Sequence, residues 1–235
     1  MTVKSTPLNA VNAHKQYSEM ADTPSVQRTQ VQSEQVQSEQ VQDAYPSRLA
    51  TTPKKTWLPR QEAVVKGRQL SGPLSQAQLD EFERKGFLFI PNLIEGAELD
   101  ELRQEMTALM SNDEYRNKEF SVTEPESQEI RSLFAVHFLS ERLGELASDE
   151  RVAGAARQII GDDPYVHQSR INYKPGFAGK GFNWHSDFET WHAEDGMPAM
   201  HAVSASLILT DNHEFNGPLM LIPGSHNKFV PCLGE

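Results

Sequence analysis

YVHQSRINYK, residues 165–174, decides how the chain is organised. It alternates like a half-buried strand, with a period of two, and no helix signal follows it. HAVSASLIL (201–209) and LMLIP (219–223) read the same way, and KPGFAGKG (174–181) and DNHEFNGP (211–218) carry the turn chemistry that separates the strands. Ahead of Pro164 the pattern is helical. Ser75 is placed to cap QAQLDEFERK (76–85), with Gly86 after the last turn. FLFIP (87–91) reads as a short buried strand. AELDELRQEMTALM (97–110) sets Leu99, Leu102, Met106 and Leu109 on one stripe with acids early, which predicts an amphipathic helix. Residues 127–146 also read as helical, and ERVAGAARQII (150–160) as a helix stopped by Gly161. Helices first and antiparallel strands afterwards predict an α+β fold around a β-sandwich or barrel core.

The first 50 residues differ. VQSEQ occurs at 31–35 and again at 36–40, and the only aromatic residues are Tyr17 and Tyr45. A Gln/Ser/Glu-rich repeat of five fits neither the helix nor the strand period and offers too little apolar surface to offset chain entropy. Residues 1–50 are therefore expected to be a disordered tail and 51–235 the folded domain. Across 235 residues, 22 Lys+Arg stand against 33 Asp+Glu, a net charge of −11. The tail holds four basic and five acidic residues, so ten of those negative charges belong to 51–235. That balance argues against a nucleic-acid or anionic-membrane partner, both of which need a basic footprint. No apolar run approaches the ~18 residues that span a bilayer. The start MTVKSTPLNAVNAHK lacks the apolar core of a signal peptide. One cysteine, Cys232, excludes an internal disulfide framework or a Cys-rich zinc site. The expectation is a cytoplasmic protein.

Six of the eight histidines (167, 185, 192, 201, 213, 226) fall in the strand-rich half, and FNWHSDFETWHAEDGMP (182–198) is the densest chemistry-bearing stretch. On an extended strand His185 and Asp187 project to one side, where an imidazole and a carboxylate can offer two adjacent ligands to a divalent metal. This is the first part of the two-His-one-carboxylate face of non-haem Fe(II) oxygenases. Alone, the pair is better explained as part of an exposed polar strand. Trp184, Phe188 and Trp191 beside it suggest a pocket wall, although core aromatics would look the same.

FNWHSDFETWHAEDGMP, preceded by QSRINYKPGFAGKG and followed by NGPLMLIPGSH, resembles the ectoine-hydroxylating enzymes of the phytanoyl-CoA dioxygenase-like branch of Fe(II)/2-oxoglutarate oxygenases. The likeness runs over about 55–235. It implies N-terminal helices packed on a double-stranded β-helix (jelly-roll) core, a homodimer, and a cytoplasmic role in compatible-solute synthesis under osmotic or heat stress. It implies Fe(II), 2-oxoglutarate and O₂ as cofactor and co-substrates and ectoine as the substrate hydroxylated at C5. Carried over by position, His185 and Asp187 are metal ligands, Lys174 and Asn172 serve 2-oxoglutarate, and Gln168, Trp191 and Ala202 contact ectoine. An aromatic face for the amidinium-like ring, an amide from Gln168 and a point charge from Lys174 suit those ligands. From the residues alone, Lys174 is an exposed strand-end lysine.

In that family a third histidine ligand and an arginine for the far carboxylate of 2-oxoglutarate follow well after PGSH. Nothing up to Glu235 matches either, and the strand candidates after 160 are too few to close a jelly roll. The expectation is a domain whose C-terminal strands are missing. His226 in PGSH is expected to fix its loop rather than bind metal, and His167, His192, His201 and His213 are not expected to complete the site. His201 also stands where the family suggests arginine. Two rival readings are a sister oxygenase with another small substrate and a non-catalytic fragment. A cupin-like isomerase would need extra histidines near His185, which are absent.

Overall fold

In the computed structural model, residues 44–45, 57–174 and 181–230 are described. The expected tail thus lies outside the described residues except at Ala44 and Tyr45. Residues 175–180 of the expected KPGFAGKG turn, and Cys232, lie outside them as well. The chain divides into two compact units: one contains Tyr45, Leu58, Ser186–Met200 and Phe229, the other Pro59–His185 and His201–Lys228.

In the larger unit, Ser75 opens helix α1 (Gln76–Lys85) with a full capping box, and Gly86 closes it at φ 84°. The Ser and Gln side chains satisfy the N–H groups that the first turn leaves unpaired, and only glycine takes the left-handed cap cheaply. Helix α2 (Gly96–Met110) follows and buries Leu102 and Leu109 of the predicted stripe. FLFIP between the two helices forms no strand: Phe89 is exposed, while Leu88 and Ile90 pack on the core of Val65, Leu74, Leu79 and Ile159. Side-chain burial without a hydrogen-bonded neighbour gives an apolar run but not a ladder.

The expected helix over 127–146 is corrected in its first third. Strands β1 (Leu58–Pro59), β2 (Ser121–Thr123), β3 (Ile130–Phe134) and β4 (Arg170–Asn172) precede or interrupt helical segments, and β2, β3 and β4 form an antiparallel sheet in that order. Gln128 at φ 60° and the bonds Glu124 N–H to Glu129 O and Gln128 N–H to Glu124 O (2.9 and 3.0 Å) reverse the chain before β3. Leu133 then lies opposite both Ser121 and Ile171. Pairing on both edges outweighs helix propensity here. Helical structure resumes after Ala135 as α3 (Val136–Leu139) and α4 (Glu141–Ser148), then a π-turn (Glu150–Gly154) running into α5 (Ala155–Ile160). Gly161 ends α5 at φ 85°, as its sequence position predicts.

Two polar assemblies tie these elements. Arg151 gives Nη1 and Nη2 to Glu98 (2.9 and 2.6 Å) and Nε and Nη2 to Asp149 (3.0 and 2.8 Å), and both carboxyls are held below their ordinary range chiefly by those bonds. Gln158, 2% exposed, accepts from Leu74 N–H at 2.7 Å and donates to Leu70 O and Leu74 O at 3.3 and 3.0 Å. It is the only group on α5 shown to pair these loop amides and carbonyls among the described residues. Gln158→Leu keeps the volume but strands them in an apolar setting, so a loss of about 3 kcal/mol is expected in urea unfolding.

Beyond β4 the structure departs from expectation. Of YVHQSRINYK only Arg170–Asn172 is a strand, and HAVSASLIL and LMLIP form none among the described residues. The 201–209 stretch is instead held by side chains: Arg103 Nε donates to Leu209 O at 2.6 Å and His201 Nε2 lies 2.9 Å from Ile160 O. Leu219, Met220, Leu221 and Ile222 are more than half exposed. Without a partner strand, period-two sequence alone does not make a ladder. His226 has the loop-fixing role expected of it, with Nε2 2.9 Å from Glu83 O near the end of α1.

The smaller unit is built on an aromatic cluster of Tyr45, Phe188 and Phe229 with Met200. It contains helix α6 (Asp187–Thr190), which continues as a π-turn (Trp191–Asp195) ending at Gly196, φ 73°. Strand β5 (Lys228–Phe229) pairs with β1.

Candidate functional site

β4 delivers Asn172 and Lys174. Ser132 on β3 faces Asn172 across the ladder, and its hydroxyl donates to Asn172 Oδ1 at 2.9 Å, which fixes the amide's orientation. Lys174 lies half-buried just past the strand; its Nζ donates to Gly217 O at 3.1 Å and stands 5.8 Å from the centre of the Phe182 ring. Arg131 occupies the same ring at 4.3 Å, and its Nη2 donates to Gly181 O at 3.4 Å. Its Nε is 3.9 Å from the Glu124 carboxylate, which is almost wholly buried. Two cations gathered on one aromatic ring create a locus suited to an anionic ligand: the ring holds the charges by its quadrupole while the ammonium remains a compact point charge.

Gly217 is fitted to this arrangement. It adopts φ 68°, and a Cβ there would lie 2.5 Å from Lys174 Nζ and 3.0 Å from its Cδ. The glycine in NGPLMLIPGSH thus admits the lysine stem as well as the turn.

The metal-ligand candidates are not on a common strand. His185 ends an irregular stretch and Asp187 is the first residue of α6, so the expectation that both project from one face of a strand is corrected. Asp-Phe-Glu-Thr supplies acids to a first turn, where carboxylates are favoured, which explains the helix. His185 Nδ1 lies 2.7 Å from Asn183 O. That contact selects the tautomer with hydrogen on Nδ1 and the lone pair on Nε2, the usual arrangement of a metal-binding imidazole. The donor chemistry of His185 and Asp187 therefore fits a divalent metal. Among the described residues, however, no three His, Cys, Asp or Glu side chains are grouped to hold a metal ion.

The other predicted residues are distributed. Trp191 is half-buried, one turn along from Asp187, in a π-helical turn of the kind often found at functional sites. Gln168 is exposed ahead of β4, and Ala202 is half-buried at the start of the 201–209 stretch. The aromatics of 182–198 split: Phe188 is buried, whereas Trp184 is 61% exposed. Sequence reasoning missed Arg131 and Gly217. Arg131 meets Phe182 from 51 positions away, which no local motif reports, although the glycine lay within a quoted segment.

The mixed helix-and-sheet fold carries a His-x-Asp pair and, separately, a cationic locus, residue types of the kind that metal- and oxoacid-using oxygenases employ. The chain belongs to the phytanoyl-CoA dioxygenase (PhyH) family, whose model matches residues 82–231 and so spans every predicted site residue. It is 67% identical over 193 residues to the ectoine dioxygenase of Halomonas elongata, covering 82% of this chain and 58% of that protein. The ectoine dioxygenase of Streptomyces avermitilis is 51% identical over 193 residues, 82% of this chain and 64% of its own length. The chain thus spans about three-fifths of these curated relatives. The crystal structure of EctD from S. alaskensis with 2-oxoglutarate and 5-hydroxyectoine superposes with TM-score 0.76 at 44% identity, covering 82% of this chain and 68% of the other. The same protein with bound Fe gives TM-score 0.75 at 43% identity, covering 81% and 68%.

Proposed function

We propose that this protein takes part in hydroxylating ectoine to 5-hydroxyectoine, with 2-oxoglutarate and O₂ consumed and succinate and CO₂ released. The observation that carries the reading is the 67% identity to an ectoine dioxygenase. Fe(II), held through His185 Nε2 and the Asp187 carboxylate, would supply the activation of O₂. These two ligands form a partial set. Lys174 and Asn172 bind and orient the oxoacid, the ammonium by charge and the amide by hydrogen bonding. Ser132 holds the amide, and Gly217 and Phe182 hold the ammonium. Trp191 offers its ring to the ectoine cation, and Gln168 and Ala202 border the substrate.

The same reading carries the jelly-roll core with N-terminal helices, a homodimer, and a cytoplasmic role in stress tolerance. No helix of the described residues is long and apolar enough to cross a membrane. A second reading, a binding fragment without turnover, is favoured by the lack of a three-ligand group among the described residues.

Succinate formation from 2-oxoglutarate under air with Fe(II), with and without ectoine, tests the proposal. Ectoine-dependent succinate supports it. Succinate released only with other small substrates indicates a sister oxygenase, and none at all the non-catalytic reading. A further expectation concerns Gly217→Ala, whose methyl pushes Lys174 from its seat. The affinity for 2-oxoglutarate, measured by calorimetric titration, should fall by about tenfold, the effect of losing one charge-assisted contact.

A further inference from the structure

We propose that Tyr45 is a positioning residue for Asp187 and Trp191; this rests on the function proposed above. Tyr45 is 0% exposed. Its ring meets Phe188 edge-on at 5.3 Å between centroids, His192 at 5.8 Å and Phe229 at 4.8 Å. Phe188, His192 and Phe229 also contact one another, at 5.5, 5.9 and 5.6 Å, closing the cluster. His192 is equally buried; Nδ1 lies 2.7 Å from Met197 O, and Nε2 lies against the carbonyl oxygen of Tyr45 itself.

The helix that these contacts grip cannot orient itself. α6 and its π-turn run only from Asp187 to Asp195, and Ser186 makes no side-chain cap bond. So short a helix is marginal without tertiary support. The anchoring residues are Phe188 and His192, four apart and buried. The functional candidates are Asp187 and Trp191, also four apart and each one position earlier. Residues four apart share a helix face, so the two pairs form adjacent stripes, about 100° apart around the axis. Any slip of Phe188 and His192 against Tyr45 rotates Asp187 and Trp191 together. Such a displacement affects the metal and ectoine together, whereas Lys174 and Asn172, on β4 and just after it, belong to the other unit.

The test uses the full 235-residue chain as wild type, Tyr45→Phe, Tyr45→Leu and Tyr45→Ala, with circular dichroism to confirm folding. Co(II) affinity is read from its visible absorption, and KM for ectoine and for 2-oxoglutarate from succinate release. Tyr45→Phe keeps the ring and should shift the constants less than Tyr45→Leu does. Tyr45→Leu, which keeps apolar bulk if the alanine variant fails to fold, should weaken Co(II) binding by about tenfold, the usual effect of removing support from a ligand. It should raise KM for ectoine similarly and change KM for 2-oxoglutarate by less than about twofold. Wild-type constants in folded Tyr45→Leu, or an equal change in all three, overturn the proposal while leaving the function intact. A wild-type chain that neither binds Co(II) nor responds to ectoine overturns the function, and this inference with it.

Discussion

His185→Ala and Asp187→Ala are each expected to abolish ectoine-dependent succinate release, with metal affinity lowered by more than about a hundredfold, beyond the loss typical of a ligand's supporting partners. The two should differ in kind. Removing His185 takes away an imidazole whose Nδ1 is already committed to Asn183 O, and therefore a ligand whose tautomer is set in advance. Removing Asp187 takes away a negative charge at the start of α6, where it also complements the helix dipole. Asp187→Asn, which preserves shape and some oxygen ligation, should retain weak metal binding, whereas His185→Ala should not. Both variants leave the aromatic cluster and the β2–β3–β4 sheet untouched, so thermal unfolding should stay near that of wild type. Metal titration beside a melting curve checks both expectations.

Leu133→Ala carries the largest expected stability cost. Leu133 is fully buried on β3 and packs with Leu109, Ile130 and Val136. It is paired on both sides, so the backbone is poorly placed to collapse into the space left behind. A loss of about 3–4 kcal/mol is expected in chemical denaturation. That is a large share of the 5–15 kcal/mol of an ordinary domain. The same strand places Ser132 against Asn172, and 2-oxoglutarate affinity should weaken with the sheet. A loss below about 1 kcal/mol would mean that the site already had room to relax.

The elements legible in the sequence are those whose signals are local. Ser75, Gln78 and Gly86 state both ends of α1 chemically, and Gly161 states the end of α5. Strand β3 was hidden because Ile130–Phe134 becomes a strand only through neighbours lying about ten and forty positions away. HAVSASLIL shows the converse: its pattern suits a strand, but the Arg103 and His201 contacts hold the stretch without a ladder. In the site, residue types were readable and geometry was not. His185 and Asp187 were singled out as candidates by spacing, yet the acid-rich first turn puts Asp187 on a helix. Lys174 was picked out by resemblance, while the glycine against which it lies is 43 positions away. Tyr45 was obscured because a lone aromatic gives no periodic signal, and its burial depends on Phe188, His192 and Phe229.

The most direct test supplies ¹⁸O₂ to the protein with Fe(II), 2-oxoglutarate and ectoine and follows the products by mass spectrometry. The account predicts 5-hydroxyectoine carrying one labelled oxygen, together with succinate carrying the other and formed in equal amount. Labelled succinate without labelled hydroxyectoine, or no labelled product at all, would contradict it.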